Sequence, residues 1–245
     1  MKVPVAMSIW VAANNKENEF QFFLLLKLLF RHGKMELTPI EIQALQSILG
    51  LKQKKSVINL FERVIQLGWI RKNEKTGYYI IKSFDKLRIE NLWESRISTL
   101  ITLSDLNHLN AHIGASLYTY LHKIFWHKVR REKSVRLKGC TFHFLSLTFN
   151  YLNQSAPIAT TGVESLYNIS KSKASRLKLS ASKFKLIEVQ KNYIKQDYSE
   201  AEIKIMIKYD LIPAYVSKYN DSFFLQSIDL ITPKISLYKR CSLGT

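Results

Sequence analysis

Cysteine, proline, glycine and acidic side chains are all scarce in this chain. Cys140 and Cys241 stand far apart and fit neither a metal set nor a disulfide framework. They suit a reducing compartment, so a cytoplasmic protein is expected. Five prolines and eight glycines in 245 residues exclude collagen-like and linker-rich chains and count against an all-β fold rich in tight turns. No apolar run approaches the roughly 18 residues of a membrane span. The greasiest stretch, Phe20 to Phe30, is interrupted by Gln21 and Lys27. Lys2, an apolar stretch and Val11-Ala12-Ala13 loosely mimic a secretory leader, but Pro4 and the single charge argue against one. Neither a G-x-x-x-x-G-K-[ST] phosphate loop nor G-x-G-x-x-G nor G-x-S-x-G occurs.

What the chain does have is positive charge. Lys and Arg number 37 against 19 Asp and Glu, a net charge of +18. Such an excess repels itself unless a polyanion is near, and nucleic acid is the usual one. The charge is not spread evenly. Residues 1–85 hold 13 basic and 7 acidic residues, and residues 122–195 hold 15 and 3. Residues 86–121 (3 and 3) and 196–245 (6 and 6) are neutral. Two polyanion-facing modules separated by a neutral segment would give this pattern.

In the first module, Asn18 to Arg31 is apolar on most sides and reads as a buried helix ended at His32-Gly33. A short extended piece, Met35-Glu36-Leu37, follows. Thr38-Pro39-Ile40-Glu41 is a capping box with proline at the first helical position. The helix it starts runs to Leu49-Gly50. After the turn Leu51-Lys52-Gln53, a second helix spans about Lys54 to Leu67. Val57, Leu60, Phe61, Val64 and Leu67 point inward, and Lys55, Ser56, Asn59 and Arg63 outward. Gly68-Trp69-Ile70 opens a strand, Asn73 to Gly77 is a turn, and Tyr78 to Lys82 returns. Through Leu49-Gly50-Leu51, Val57, Leu67-Gly68-Trp69-Ile70 and the hairpin, residues 18–84 resemble the winged helix-turn-helix family. The resemblance implies that the second helix of the pair enters the DNA major groove while the hairpin touches the backbone or minor groove. It makes Lys54, Lys55, Ser56, Asn59 and Arg63 the candidate DNA-facing residues.

The same order recurs downstream. Ala115 to Lys128 reads as an amphipathic helix, followed by the basic stretch Arg130, Arg131, Lys133, Arg136 and Lys138. Cys140 to Asn153 reads as a buried helix and Ala156 to Thr160 as a short extended piece. Thr161-Gly162-Val163-Glu164 repeats the capping-box spacing, Ile169-Ser170-Lys171 is a turn, and a helix runs from Ser172 to Phe184 with Ala174, Leu177 and Ala181 inward. Lys171, Lys173, Ser175, Arg176 and Lys178 remain for the outer face. No acidic residue lies between Lys171 and Ile187 to repel a phosphate backbone. Ile187 to Gln190 and Ile203 to Ile207 are the expected hairpin strands, joined by a wing containing Lys191, Asn192 and Lys195. This module is less similar to the family residue by residue, because Lys185 stands where Gly68 stands in the first.

No catalytic or metal constellation competes with this reading. His108 and His112 lie four apart, without the glutamate of H-E-x-x-H and without a third ligand. His127-Lys128-Val129-Arg130 matches an H-x-x-R fragment of tyrosine recombinases, but the rest of the chain does not resemble that family. No His-hydrophobe-His triplet of rolling-circle nickases occurs.

The expectation is an α+β, mostly helical chain: a first winged-helix domain over 1–85, a helical linker over 86–114, a second winged-helix domain over 115–208, and a C-terminal extension over 209–245. The expected partner is double-stranded DNA, with no cofactor, no metal and no catalysis, and with the linker or C-terminal region available for a homodimer. Two winged helices in a chain of this size resemble the replication initiators of plasmids and phages; a transcriptional regulator is the equal alternative. From another class, a protein-interaction or membrane-surface adaptor would use the apolar linker and C-terminal region for partners and the same basic face on acidic lipid or RNA.

Overall fold

A computed structural model describes residues 2–6, 16–91, 97–132, 134–137, 140–143, 154–196, 198–209, 211, 216–219 and 222–239. The fold is α+β, with helices and small antiparallel sheets. In chain order the first half contains β1 (Lys2–Ala6), α1 (Glu17–Leu29), β2 (Lys34–Met35), α2 (Pro39–Ile48), α3 (Lys54–Gln66), β3 (Ile70–Lys72), β4 (Tyr79–Ile81), α4 (Phe84–Glu90) and β5 (Ile97–Thr102). After a 3₁₀ turn at Ser104–His108 come α5 (Leu109–Glu132), β6 (Ser134–Leu137), β7 (Cys140–His143), β8 (Ala156–Pro157), α6 (Thr160–Tyr167), α7 (Lys171–Lys183), β9 (Ile187–Gln190) and β10 (Tyr193–Gln196). Last are α8 (Glu200–Lys208), β11 (Val216–Tyr219), β12 (Ser222–Gln226), β13 (Leu230–Pro233) and β14 (Tyr238–Lys239).

The first half forms as its residues dictate. Helix α1 buries Phe20, Phe22, Phe23, Leu24, Leu25, Leu26 and Leu28, which is why it is apolar all round. Each of these side chains stabilises the fold by about 1.5–3 kcal/mol. Trp69 packs against Phe20 and Phe23, with ring centroids 6.0 and 5.4 Å apart. The capping box forms: Glu41 N–H donates to Thr38 Oγ1, and Thr38 N–H donates to the Glu41 carboxylate at 2.9 Å. Gly50 closes α2 in the left-handed region, at φ +62°. The sheet order is β2-β4-β3, with the last strand in the middle.

In the second half, Ala174, Leu177 and Ala181 of α7 are buried against α5. The helices approach closely because Gly114 has no side chain: a Cβ there would sit 2.2 Å from the Leu177 carbonyl oxygen. Tyr118 donates its hydroxyl to the Ala174 carbonyl at 3.2 Å, and burial pushes the phenol up to about 12. The sheet here has the order β8-β13-β9, again with the last strand central.

Several expectations are corrected. The linker over 86–114 is not a continuous helix. It holds α4, strand β5 and the 3₁₀ turn, and α5 starts at Leu109 rather than Ala115. The β-branched run Ile97, Thr99, Ile101, Thr102 favours a strand, and β1 and β14 flank it. Cys140 to His143 is a strand paired with β6, not the start of a helix; the remainder of that expected helix lies outside the described residues. Thr161 does not cap α6, which begins one residue earlier after Ala159 and has no side-chain cap. Ile203 to Ile207 is helical. The Ser199–Glu202 capping box commits that segment to α8 and overrides the alternating isoleucines.

The return strand of the second sheet is therefore β13, from the region expected to be a C-terminal extension. Its partner β9 continues into β10 as β13 does into β12. Gln190 faces Leu230, Tyr193 faces Gln226, and Ser227 N–H donates to the Asn192 carbonyl between them. One long bent ribbon results, carrying α8 and β11 at its far end.

Candidate nucleic-acid interface

Helices α3 and α7 are each 13 residues long and occupy the same place in their halves. Aligning Lys54 with Lys171 puts buried Val57 on Ala174, Leu60 on Leu177 and Val64 on Ala181. It also puts Asn59 on Arg176 and Gly68 on Lys185. The chain leaves both helices through the same bonds: Gly68 N–H to the Ile65 carbonyl and Trp69 N–H to Val64, then Lys185 N–H to Ser182 and Leu186 N–H to Ala181. Gly68 takes φ +69° and Lys185 takes φ +57°. Lysine thus does a glycine's work at this position, at a cost of about 1–2 kcal/mol.

On α3, Lys54 and Lys55 are exposed while Ser56 and Asn59 are half-buried. Arg63 is exposed but bonded, its Nη1 lying 3.0 Å from Glu19 Oε1 on α1. Arg71, Lys72 and Lys75, on β3 and the turn after it, are exposed as well. They follow α3 directly in the β3–β4 hairpin, though sequence reasoning named none of them.

On α7, Lys171 and Arg176 are exposed and Ser175 is half-buried. Ser170 caps the helix by accepting from Lys173 N–H. Lys173 turns aside to Glu17 of α1, with Nζ 2.6 Å from Oε1. Burial alone would raise the Glu17 carboxyl, but the Lys173 hydrogen bond, aided by the charges of Lys173 and Arg176, holds it below its ordinary value. Lys195 is exposed on β10. Arg130 and Arg131 sit at the end of α5 and Arg136 on β6; Lys133 and Lys138 lie outside the described residues.

Lys178 occupies the position of Phe61 and behaves like a core residue. Its Nζ lies 2.5 Å from Asp229 Oδ2, with the two side chains 11% and 5% exposed. Lys191 reaches the same carboxylate at 3.2 Å, and Gln226 donates to it at 3.3 Å. Burial would raise the Asp229 carboxyl, yet the hydrogen bonds and charges of Lys178, then Lys191, keep it below its usual value. In the first half the same contact between helix and return strand is made by Phe61 and Tyr79, edge to face at 4.7 Å. So Lys178, expected as a DNA contact, is buried on Asp229 and fixes the ribbon to α7, while Lys191, also expected as one, reaches the same carboxylate and stays half-exposed. Asp229 was not singled out from sequence; a lone aspartate ahead of a short strand carries no local signal.

His112 meets Asp105 at 3.2 Å, and burial pulls its pKa below the ordinary value although Asp105 opposes this. His108 stacks on Phe184, with centroids 4.0 Å apart. Among the described residues no group of three or more His, Cys, Asp or Glu is arranged to hold a metal, and no helix is long and apolar enough to cross a membrane. The chain matches no family model, no curated protein and no solved structure.

Proposed function

We propose that this chain is a sequence-recognising, non-catalytic binder of double-stranded DNA built from two winged-helix modules, with α3 and α7 as the recognition helices. The observation that carries the reading is the internal repeat. Once the β6–β7 hairpin and the segment from β10 to β12 are set aside as insertions in the second half, each half runs helix, strand, helix, helix, strand and return strand, with the return strand central in its sheet. The net charge of +18 and its concentration in these two halves support the same reading. A winged helix places its second helix in the major groove and its hairpin on the backbone or minor groove.

The residues divide by role. Lys54, Lys55, Lys171, Arg71, Lys72 and Lys195 supply phosphate contacts, with Arg130, Arg131 and Arg136 as further candidates. Asn59 and Arg176, equivalent positions on the two helices, supply base readout: an amide pairs with adenine edges and a guanidinium with guanine edges. Replication initiation at repeated origin sites and transcriptional regulation both fit such a binder.

The test is selection of bound duplexes from a random pool at about 150 mM salt, near physiological ionic strength. An enriched motif is expected. Neutralising six or more phosphates predicts an affinity loss of about three decades or more between 50 and 200 mM salt. Arg176→Ala should weaken the enriched duplex more than random DNA. A pool without enrichment together with a flat salt response would refute the proposal.

A further inference from the structure

Helix α1 begins with two acidic residues, Glu17 and Glu19. Residues two apart on a helix point about 200° away from each other. Each of these meets a cation from a different recognition helix. Glu19 bonds Arg63 of α3 at 3.0 Å, within the first half. Glu17 bonds Lys173 of α7 at 2.6 Å, across to the second half. Two further contacts run the same way. Gln21 of α1 donates to the Leu106 carbonyl in the 3₁₀ turn at 3.0 Å, and His108 of that turn stacks on Phe184 just past α7. Glu17, Asn110, Lys173, Arg176, Leu177 and Ser180 line the groove where the halves meet.

Lys173 lies in the first turn of α7, where a recognition helix approaches DNA, yet it turns toward α1. Lys171 and Arg176 stay exposed beside it. The carboxylate therefore leaves the outer face of α7 open and takes up a cation on its flank. That is the behaviour of a strut rather than of a plug.

We propose that the first turn of α1 is a spacer that fixes α7 relative to α3, and thereby fixes the separation of the two half-sites the chain accepts. Glu17 is the positioning residue. The proposal rests on the DNA-binding reading for its consequence, but the strut itself exists or fails without DNA. With α3 and α7 held rigidly, an insertion of five base pairs between half-sites turns one of them by about half a helical turn, out of reach.

Two measurements test it. The first uses the full chain without DNA. Glu62→Cys and Leu179→Cys, equivalent exposed positions on α3 and α7, carry spin labels in a Cys140→Ser, Cys241→Ser background. Pulsed dipolar spectroscopy then reads the distance between them. The parent should give one narrow distribution, Glu17→Ala a broad one, and the exchanged pair Glu17→Lys with Lys173→Glu a narrow one again. A distribution as narrow in Glu17→Ala as in the parent overturns the strut. The second measurement uses the selected duplex with inserts of zero to six base pairs between half-sites. The parent should lose at least about tenfold in affinity at five, the size of a single poor base contact or more. Glu17→Ala should lose much less. An unchanged spacing profile overturns the proposal. So does equal tightening on every duplex, which would make Glu17 a mere competitor of phosphate. Failure of the parent to prefer any duplex defeats the DNA reading and the spacing role together, while the dipolar result still decides whether the strut exists.

Discussion

Replacing Asp229 with alanine should cost more than any other single change at a charged position described above. The carboxylate is 5% exposed and partners Lys178, itself 11% exposed. Without it the Lys178 ammonium keeps, among the described residues, only the Thr160 hydroxyl, at 3.4 Å. Removing one member of a buried pair leaves an uncompensated charge and costs about 3–5 kcal/mol. For a chain of this size that is about 6–20 °C in melting temperature, at about 2–4 °C per kcal/mol. Denaturant titration should show the full loss, whereas Lys191→Ala, at a half-exposed lysine, should cost no more than about 1 kcal/mol. Because Phe61 fills the equivalent position in the first half, Lys178→Phe combined with Asp229→Leu should recover most of the stability. The pH dependence follows from the sign of the shift. A carboxyl with a depressed folded pKa contributes stability that is complete above its unfolded value, near 3.9, and that is lost as pH falls through the lower folded value. The difference between parent and Asp229→Ala should therefore be flat from pH 7 to about 5 and shrink in acid. A loss below about 1 kcal/mol for Asp229→Ala, or a double variant less stable than the single one, would refute the reasoning.

Three further outcomes are expected. Gly114→Ala should destabilise by at least about 1–3 kcal/mol in thermal melts, because its Cβ would meet the Leu177 backbone, whereas Gly162→Ala, whose Cβ meets only Leu121 Cδ1 at 3.7 Å, should be neutral or stabilising. Lys185→Gly should raise stability by up to about 1 kcal/mol, since glycine takes φ +57° without strain. Thr38→Ala removes the hydroxyl that accepts from Glu41 N–H, while the backbone N–H of residue 38 can still donate to the Glu41 carboxylate, and should cost about 1 kcal/mol by denaturant titration.

Local chemistry made the first half legible. Thr38, Pro39 and Glu41 mark one helix start, Gly50 marks its end, and the inward series Val57, Phe61, Val64 has a clean helical period. The second half was harder to read for reasons that can be named. Ile203, Ile205 and Ile207 alternate like a strand, but only Ile203 is buried, and the Ser199–Glu202 box decides the segment. The true return strand lies beyond an insertion of some length, so no local spacing could point to it. Of the candidate site, the exposed cations of α3 and α7 were visible from periodicity. That Lys173 and Lys178 turn inward was not. Their partners, Glu17 and Asp229, are remote in sequence, and pairing between charges leaves no mark on helical period.

The sheet of β1, β5 and β14 has a consequence for how the chain comes to be folded. It joins Val5 to Thr99 and Ser98 to Tyr238, so its three strands come from the beginning, the middle and nearly the end of the sequence. Each half can settle on contacts made among its own neighbours, but this sheet must close two very large loops, and large loops close late. During synthesis β5 waits, with one edge bare, until the whole second half has left the ribosome. A chain lacking the strand at Tyr238 would leave an open edge beside β5, the kind of surface on which incompletely folded proteins stick to one another.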